Sequence, residues 1–129
     1  MTGLAMAFDF GTTKIGVAVG QKITGTATPV AVVKARDGIP QWLVIDRLVE
    51  EWQPTILVVG LPINMDGTES DMSKAATRFS RRLHGRYGIS IELMDERLST
   101  FEAREFETPY QLDAIAAKLI LETWLADST

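Results

Sequence analysis

Asp9, Glu96 and Asp113 stand where a purely structural role explains them poorly, and together they could hold a divalent cation. Asp9 interrupts the apolar segment Leu4 to Phe10, and a carboxylate enclosed in a sheet normally finds a cation or changes its protonation. Asp113 lies in a helical pattern whose expected buried stripe is Leu112, Ile115, Ala116, Leu119, Ile120, Thr123 and Trp124. At about 100° per residue it projects between Ile120 and Trp124, hence inward. Glu96 follows Asp95 and an alternating apolar stretch; it is either a solvated loop acid or a ligand in the position where ligands collect beyond the carboxyl ends of strands in open α/β sheets. At ~5 Å and an effective dielectric of ~20, each pair of carboxylates repels by roughly 3 kcal/mol. Convergence of the three therefore calls for a cation. An oxygen-only set with no His or Cys nearby selects Mg²⁺ or Mn²⁺ over Zn²⁺, and such ions activate water and stabilise the leaving oxygen in phosphodiester hydrolysis.

Weaker features surround these acids. Gly11, Thr12, Thr13 and Lys14 could bring backbone amides, hydroxyls and a positive charge to a phosphate, or could simply close a turn between two strands. Asn64 and Asp66 follow an apolar run in a segment with Pro62 and Gly67, where they touch substrate or build the turn. Arg97 adjoins Glu96 and either contacts phosphate or neutralises neighbouring acids. Ser99 reads as a helix cap, His84 as a helix-end residue, and Trp42, Trp52 and Trp124 as core.

The elements that must position these residues follow from periodicity. Leu4 to Phe10, Ile15 to Val19 and Thr24 to Val33 read as three strands joined by short turns. Trp42, Ile45, Val49 and Trp52 recur at helical spacing until Gln53-Pro54, and Ile56 to Val59 suits a strand buried on both faces. Met72, Ala76, Phe79 and Leu83 predict a second helix, entered through a Thr68-to-Asp71 capping box and closed near Gly85 and Gly88. Ile89, Ile91 and Leu93 alternate as a fifth strand. Further caps at Ser99 and Thr108 lead to a last helix from Pro109 to Ala126. The expectation is a single α/β domain over residues 1–129, with a five-stranded mixed sheet and helices on both faces.

Composition narrows the class. A net charge of -4 excludes a surface that binds polyanions everywhere, so any nucleic-acid contact must be local. Between Met72 and Ile91 there is no Asp or Glu, whereas Lys74, Arg78, Arg81, Arg82 and Arg86 fall there. That array would also suit an ordinary solvated helix face. The absence of cysteine fits a reducing compartment, no apolar run approaches the ~20 residues of a membrane span, and Met1-Thr2-Gly3 lacks a signal peptide's positive start. A cytoplasmic location is expected.

The segments Asp9-Phe10-Gly11-Thr12-Thr13-Lys14-Ile15-Gly16-Val17-Ala18, Gly60 to Thr68, Asp95-Glu96-Arg97-Leu98-Ser99-Thr100 and Asp113-Ala114-Ile115-Ala116-Ala117 resemble the signature blocks of the YqgF family, in the family's order. The resemblance implies a ribonuclease H-like fold and a cytoplasmic nuclease acting on structured RNA, the 5′ end of pre-16S ribosomal RNA or a ribosomal particle. It also carries an alternative activity, resolution of Holliday junctions in branched DNA. It implies catalytic acids at Asp9, Glu96 and Asp113. One departure is plain: only 16 residues separate Glu96 from Asp113, where the family has a longer segment containing Lys and Arg, which weakens substrate grip before it weakens metal binding. Two other classes compete. Asp-x-Gly-Thr-Thr also resembles the phosphate loop of the actin and sugar-kinase superfamily, and a nucleic-acid-binding module without cleavage would keep the basic helix and lose the chemistry.

Overall fold

The computed structural model describes residues 3–62, 70–95 and 109–127. Chain order is β1 (Leu4–Asp9), β2 (Lys14–Gln21), β3 (Thr26–Arg36), β4 (Ile39–Pro40), α1 (Trp42–Trp52), β5 (Ile56–Leu61), α2 (Asp71–Tyr87), β6 (Ser90–Asp95) and α3 (Pro109–Asp127). One mixed sheet has the order β4-β3-β2-β1-β5-β6. The first strands form an antiparallel meander, whereas β5 runs parallel to both β1 and β6.

The sheet has six strands, not the expected five. Asp37 and Gly38 both adopt left-handed backbone, with φ of 53° and 80°, the geometry of a tight two-residue hairpin. This turn extends β3 to Arg36 and folds Ile39–Pro40 back on it. At the other end β3 begins at Thr26 rather than Thr24, because the turn from Gln21 closes through Gly25.

Strand alternation divides large from small side chains. Met6, Phe8, Ile15, Val17 and Val19 point to one face, where they pack with Ile45 of α1 and Phe79 and Leu83 of α2. Ala5, Ala7 and Ala18 point to the other, under Ala117, Ile120 and Leu121 of α3. Burying Phe8 or Phe79 contributes roughly 2–3 kcal/mol each, so the first face supplies much of the stability. The Ala and Gly face instead lets a helix come close.

One helix end and one helix face differ from the expectation. The N-cap of α2 is Ser70, whose hydroxyl accepts from the Ser73 amide while the Ser73 hydroxyl accepts from Ser70. The capping pair thus begins two residues beyond the expected Thr68, which itself lies outside the described residues, as do Ser99 and Thr108. Gly88, in left-handed conformation, ends the helix as anticipated. In α3 the buried residues are Ala114, Ala117, Ile120, Leu121, Trp124 and Leu125, whereas Ile115, Ala116, Leu119 and Thr123 are only half-buried. The helix is apolar on nearly every side, and the close approach of the sheet selects alanine for the contact over bulkier residues. No helix among the described residues is long and apolar enough to cross a membrane.

Candidate active site

Strands β1, β5 and β6 run parallel and end at the same edge of the sheet. Asp9 is the last residue of β1 and is half-buried. Alternation from Ala5 and Ala7 directs it to the face covered by α3. Its partner across the antiparallel ladder is Gly16. A β-carbon at Gly16 would fall 1.8 Å from the Asp113 carbonyl oxygen, so α3 passes directly over this glycine. Asp9 and Asp113, more than a hundred residues apart in the chain, therefore flank one glycine. Glycine in a strand interior marks such a close backbone approach. The spacing of Gly16 after Asp9 carried that signal, although sequence reasoning assigned the residue no role.

The electrostatics of Asp113 are unbalanced. Burial pushes its carboxyl above the usual aspartate range, and the charge of Lys14 pulls only partly against this. An additional cation would favour the ionised form. The oxygen donors of Asp9 and Asp113 suit a hard divalent ion, with no sulfur or imidazole in the pair. Among the described residues no cluster of three or more His, Cys, Asp or Glu is assembled for a metal. The expected third acid, Glu96, lies outside the described residues. Its neighbour Asp95 closes β6 opposite Leu61.

The Gly11-to-Lys14 loop lies beside these acids and is braced from behind. The Thr13 carbonyl accepts from the Ala35 amide at 2.8 Å, and the Thr12 carbonyl from the Gly38 amide at 3.0 Å. Both threonines are exposed, while Gly11 and Lys14 are half-buried. Asn64 and Arg97 lie outside the described residues. The flanks of the segment containing Asn64 are tied by Ser70 Oγ, which donates to the Pro62 carbonyl at 2.8 Å. The basic residues Lys74, Arg78, Arg81 and Arg82 are exposed on α2, which packs on the opposite sheet face from Asp113. His84 meets the Ile89 carbonyl through Nδ1. Trp42 stacks on Phe79, and Trp124 is a buried residue of α3, as expected for core residues.

Comparison with known proteins gives the family and the fold. The family model described as RuvX: Holliday junction resolvase matches residues 3–127. A protein of Azotobacter vinelandii named "Putative pre-16S rRNA nuclease" is 51% identical over 133 aligned positions, covering 96% of this chain and 94% of that protein. The Escherichia coli K12 protein of the same name is also 51% identical, covering 96% of each. Those 133 positions exceed the chain's 129 residues, so these relatives carry residues that this chain lacks. Among solved structures, Thermus thermophilus RuvC in complex with a Holliday junction substrate matches with a TM-score of 0.61 at 14% identity, covering 98% of this chain and 96% of that one. Fowlpox virus resolvase with Holliday junction DNA gives 0.59 at 8% identity, covering 97% and 98%. These two show that the fold is that of the RuvC-type, ribonuclease H-like resolvases. With a family model spanning almost its full length and relatives at half identity, the chain belongs to the RuvX family.

Proposed function

We propose that this chain is a divalent-metal-dependent nuclease that processes the 5′ end of pre-16S ribosomal RNA, with Asp9, Glu96 and Asp113 as its catalytic acids. Family membership makes it a nuclease, and its curated relatives take their name from the ribosomal precursor. The observation that carries the site assignment is the passage of the Asp113 backbone over Gly16, the ladder partner of Asp9. Glu96 is chosen over Asp95 because the resemblance of Asp95-Glu96-Arg97-Leu98-Ser99-Thr100 to the family's signature block puts the catalytic acid at Glu96.

Asp9, Asp113 and Glu96 would hold Mg²⁺ or Mn²⁺, which supplies charge stabilisation for the phosphate and a nucleophilic water. The protein's own contribution is positional. Strand β1 fixes Asp9 by pairing on both sides, and Gly16 admits α3 so that Asp113 reaches the same point. Lys14, felt electrostatically at Asp113, stands ready for a phosphate oxygen, with Thr12 and Thr13 exposed beside it. Asn64 and Arg97 are the other proposed substrate contacts. The absence of Cys and of a membrane-spanning helix among the described residues suits a cytoplasmic enzyme.

A second reading, cleavage of four-way DNA junctions, is favoured by the resolvase fold and the family's description. Symmetric junction cleavage needs two active sites and hence a dimer. The test is a cleavage assay on precursor 16S RNA and on a DNA junction, with EDTA, Mg²⁺ or Mn²⁺, and with Asp9→Asn as control. Metal-dependent trimming of the RNA, lost in Asp9→Asn, is expected. Cleavage confined to the junction would install the second reading, and equal activity of Asp9→Asn would remove the mechanism.

A further inference from the structure

The face of the sheet that holds Asp9 continues outward along β2 and β3 as a row of cations. Lys14 and Lys34 are directly opposite each other in the antiparallel ladder. Val33 belongs to the core on the other side, so Lys34 projects to the α3 face with Lys14, and Arg36 follows it there at a period of two. Lys34 and Arg36 are exposed. Like charges placed directly across a ladder destabilise it, and here the sheet is built to keep them so. The ladder is in one register from Gln21↔Thr26 to Ala18↔Pro29 and then shifts at Val17. Without that bulge, which adds Val30 beside the strand-interior Pro29, Lys14 would face Val33 instead. Bulges that re-aim side chains are common beside active sites. The register is locked beyond the bulge by three backbone bonds: Ala35 N–H to Thr13, Gly38 N–H to Thr12 and Gln41 N–H to the Lys34 carbonyl.

We infer that Lys34, with Lys14 opposite and Arg36 beyond, forms a phosphate-binding ladder that grips the nucleic-acid strand next to the bond being cut. The inference rests on the nuclease reading and gives it a substrate path: outward from Asp9 and Asp113 across β2 and β3, on the face that the basic side of α2 does not reach. An opposed lysine pair is unfavourable alone and favourable with a polyanion between its members. It also supplies grip in a chain with a short segment between Glu96 and Asp113.

The experiment measures binding of a short RNA duplex with a single-stranded 5′ extension, and of a four-way DNA junction, in the Asp9→Asn background across a salt series. Lys34→Gln is expected to weaken binding about threefold to tenfold and to lower the slope of log affinity against log salt by about 1, as loss of one phosphate contact requires. Lys34→Arg should restore both. Lys22→Gln makes the same charge change at the far end of β2, where Lys22 lies 5.3 Å from the Trp124 ring centre, and should leave the slope unaltered. Thermal unfolding separates grip from structure: a structural lysine would lower Tm when removed, whereas relief of the opposed pair leaves Tm equal or higher. An unchanged slope in Lys34→Gln, or an equal loss in Lys22→Gln, overturns the ladder. Neither outcome touches the assignment of the acids, which fails only if Asp9→Asn still cleaves.

Discussion

Asp46 and Asp113 are the same residue type on helices covering opposite faces of one sheet, and their surroundings treat them in opposite ways. The carboxylate of Asp46 receives two hydrogen bonds of 2.7 Å from Arg86 and a third from the Tyr87 hydroxyl, with the guanidinium also lying over Trp42. Arg86 first, then Tyr87, hold its carboxyl down at about 2. Asp113 is pushed upward by burial, with Lys14 as the counterweight. The first aspartate clasps α1 to the end of α2, where large apolar residues already bind the helices to the sheet. The second lies on the face where the strands carry alanine and glycine and the helix backbone comes close. The larger strand side chains are thus gathered on one face, and an aspartate whose pKa is raised by burial lies on the other. Functional sites are where such costs are tolerated.

The largest losses are expected at the acids themselves. Asp113→Asn should lower metal-dependent cleavage by about a thousandfold or more, whereas Asp46→Asn should leave cleavage by the folded protein within about twofold. Single-turnover rates on the precursor RNA decide this, and comparable losses in both variants would erase the distinction. Next in size is Gly16→Ala. Its methyl would meet the Asp113 backbone, which no rotamer change can relieve. Overpacking of this kind costs about 1–3 kcal/mol, and displacement of α3 should cost about a hundredfold in rate. A crystal structure of that variant with Asp113 unmoved would contradict the placement.

The two aspartates also respond oppositely to pH. The folded value of Asp46 is depressed, so its contribution to stability is present above the ordinary aspartate value of 3.8 and is lost as pH falls toward about 2. Denaturant unfolding of Asp46→Asn should therefore differ from wild type at neutral pH and converge with it in acid. The folded value of Asp113 is raised, so the sign reverses. Its contribution is present below 3.8 and disappears as pH rises through the raised value. In EDTA at neutral pH, Asp113→Asn should have an equal or slightly higher Tm, and a clear fall would show that the carboxylate has a stabilising partner of its own.

Much of this was legible in the residue pattern, for reasons that also set its reach. Strands β1 and β2 alternate large and small residues so regularly that both the strands and their two faces follow from the sequence. Asp9 stood out because it breaks that alternation with a charge. The sixth strand was equally available in the Asp37-Gly38 pair, a strong hairpin signal, but two residues of strand give periodicity nothing to register. The phase of α3 was not available, because a helix apolar on most sides has no preferred face until the sheet supplies one. Asp113 was nevertheless read as inward from its position between Ile120 and Trp124, both of which are buried. The opposed lysines lay beyond reach for a different reason. Their pairing depends on a bulge in the middle of β3, and counting back from the hairpin turn gives the wrong partner.

If Asp9, Glu96 and Asp113 share one divalent site, metal binding must stabilise the fold against heat. Titrating Mg²⁺ or Mn²⁺ into metal-free protein should raise the wild-type Tm in a saturable way, and Asp9→Asn, Glu96→Gln and Asp113→Asn should each abolish or strongly reduce the rise. A wild-type protein indifferent to both ions, or three variants that respond as the wild type does, would contradict the shared site.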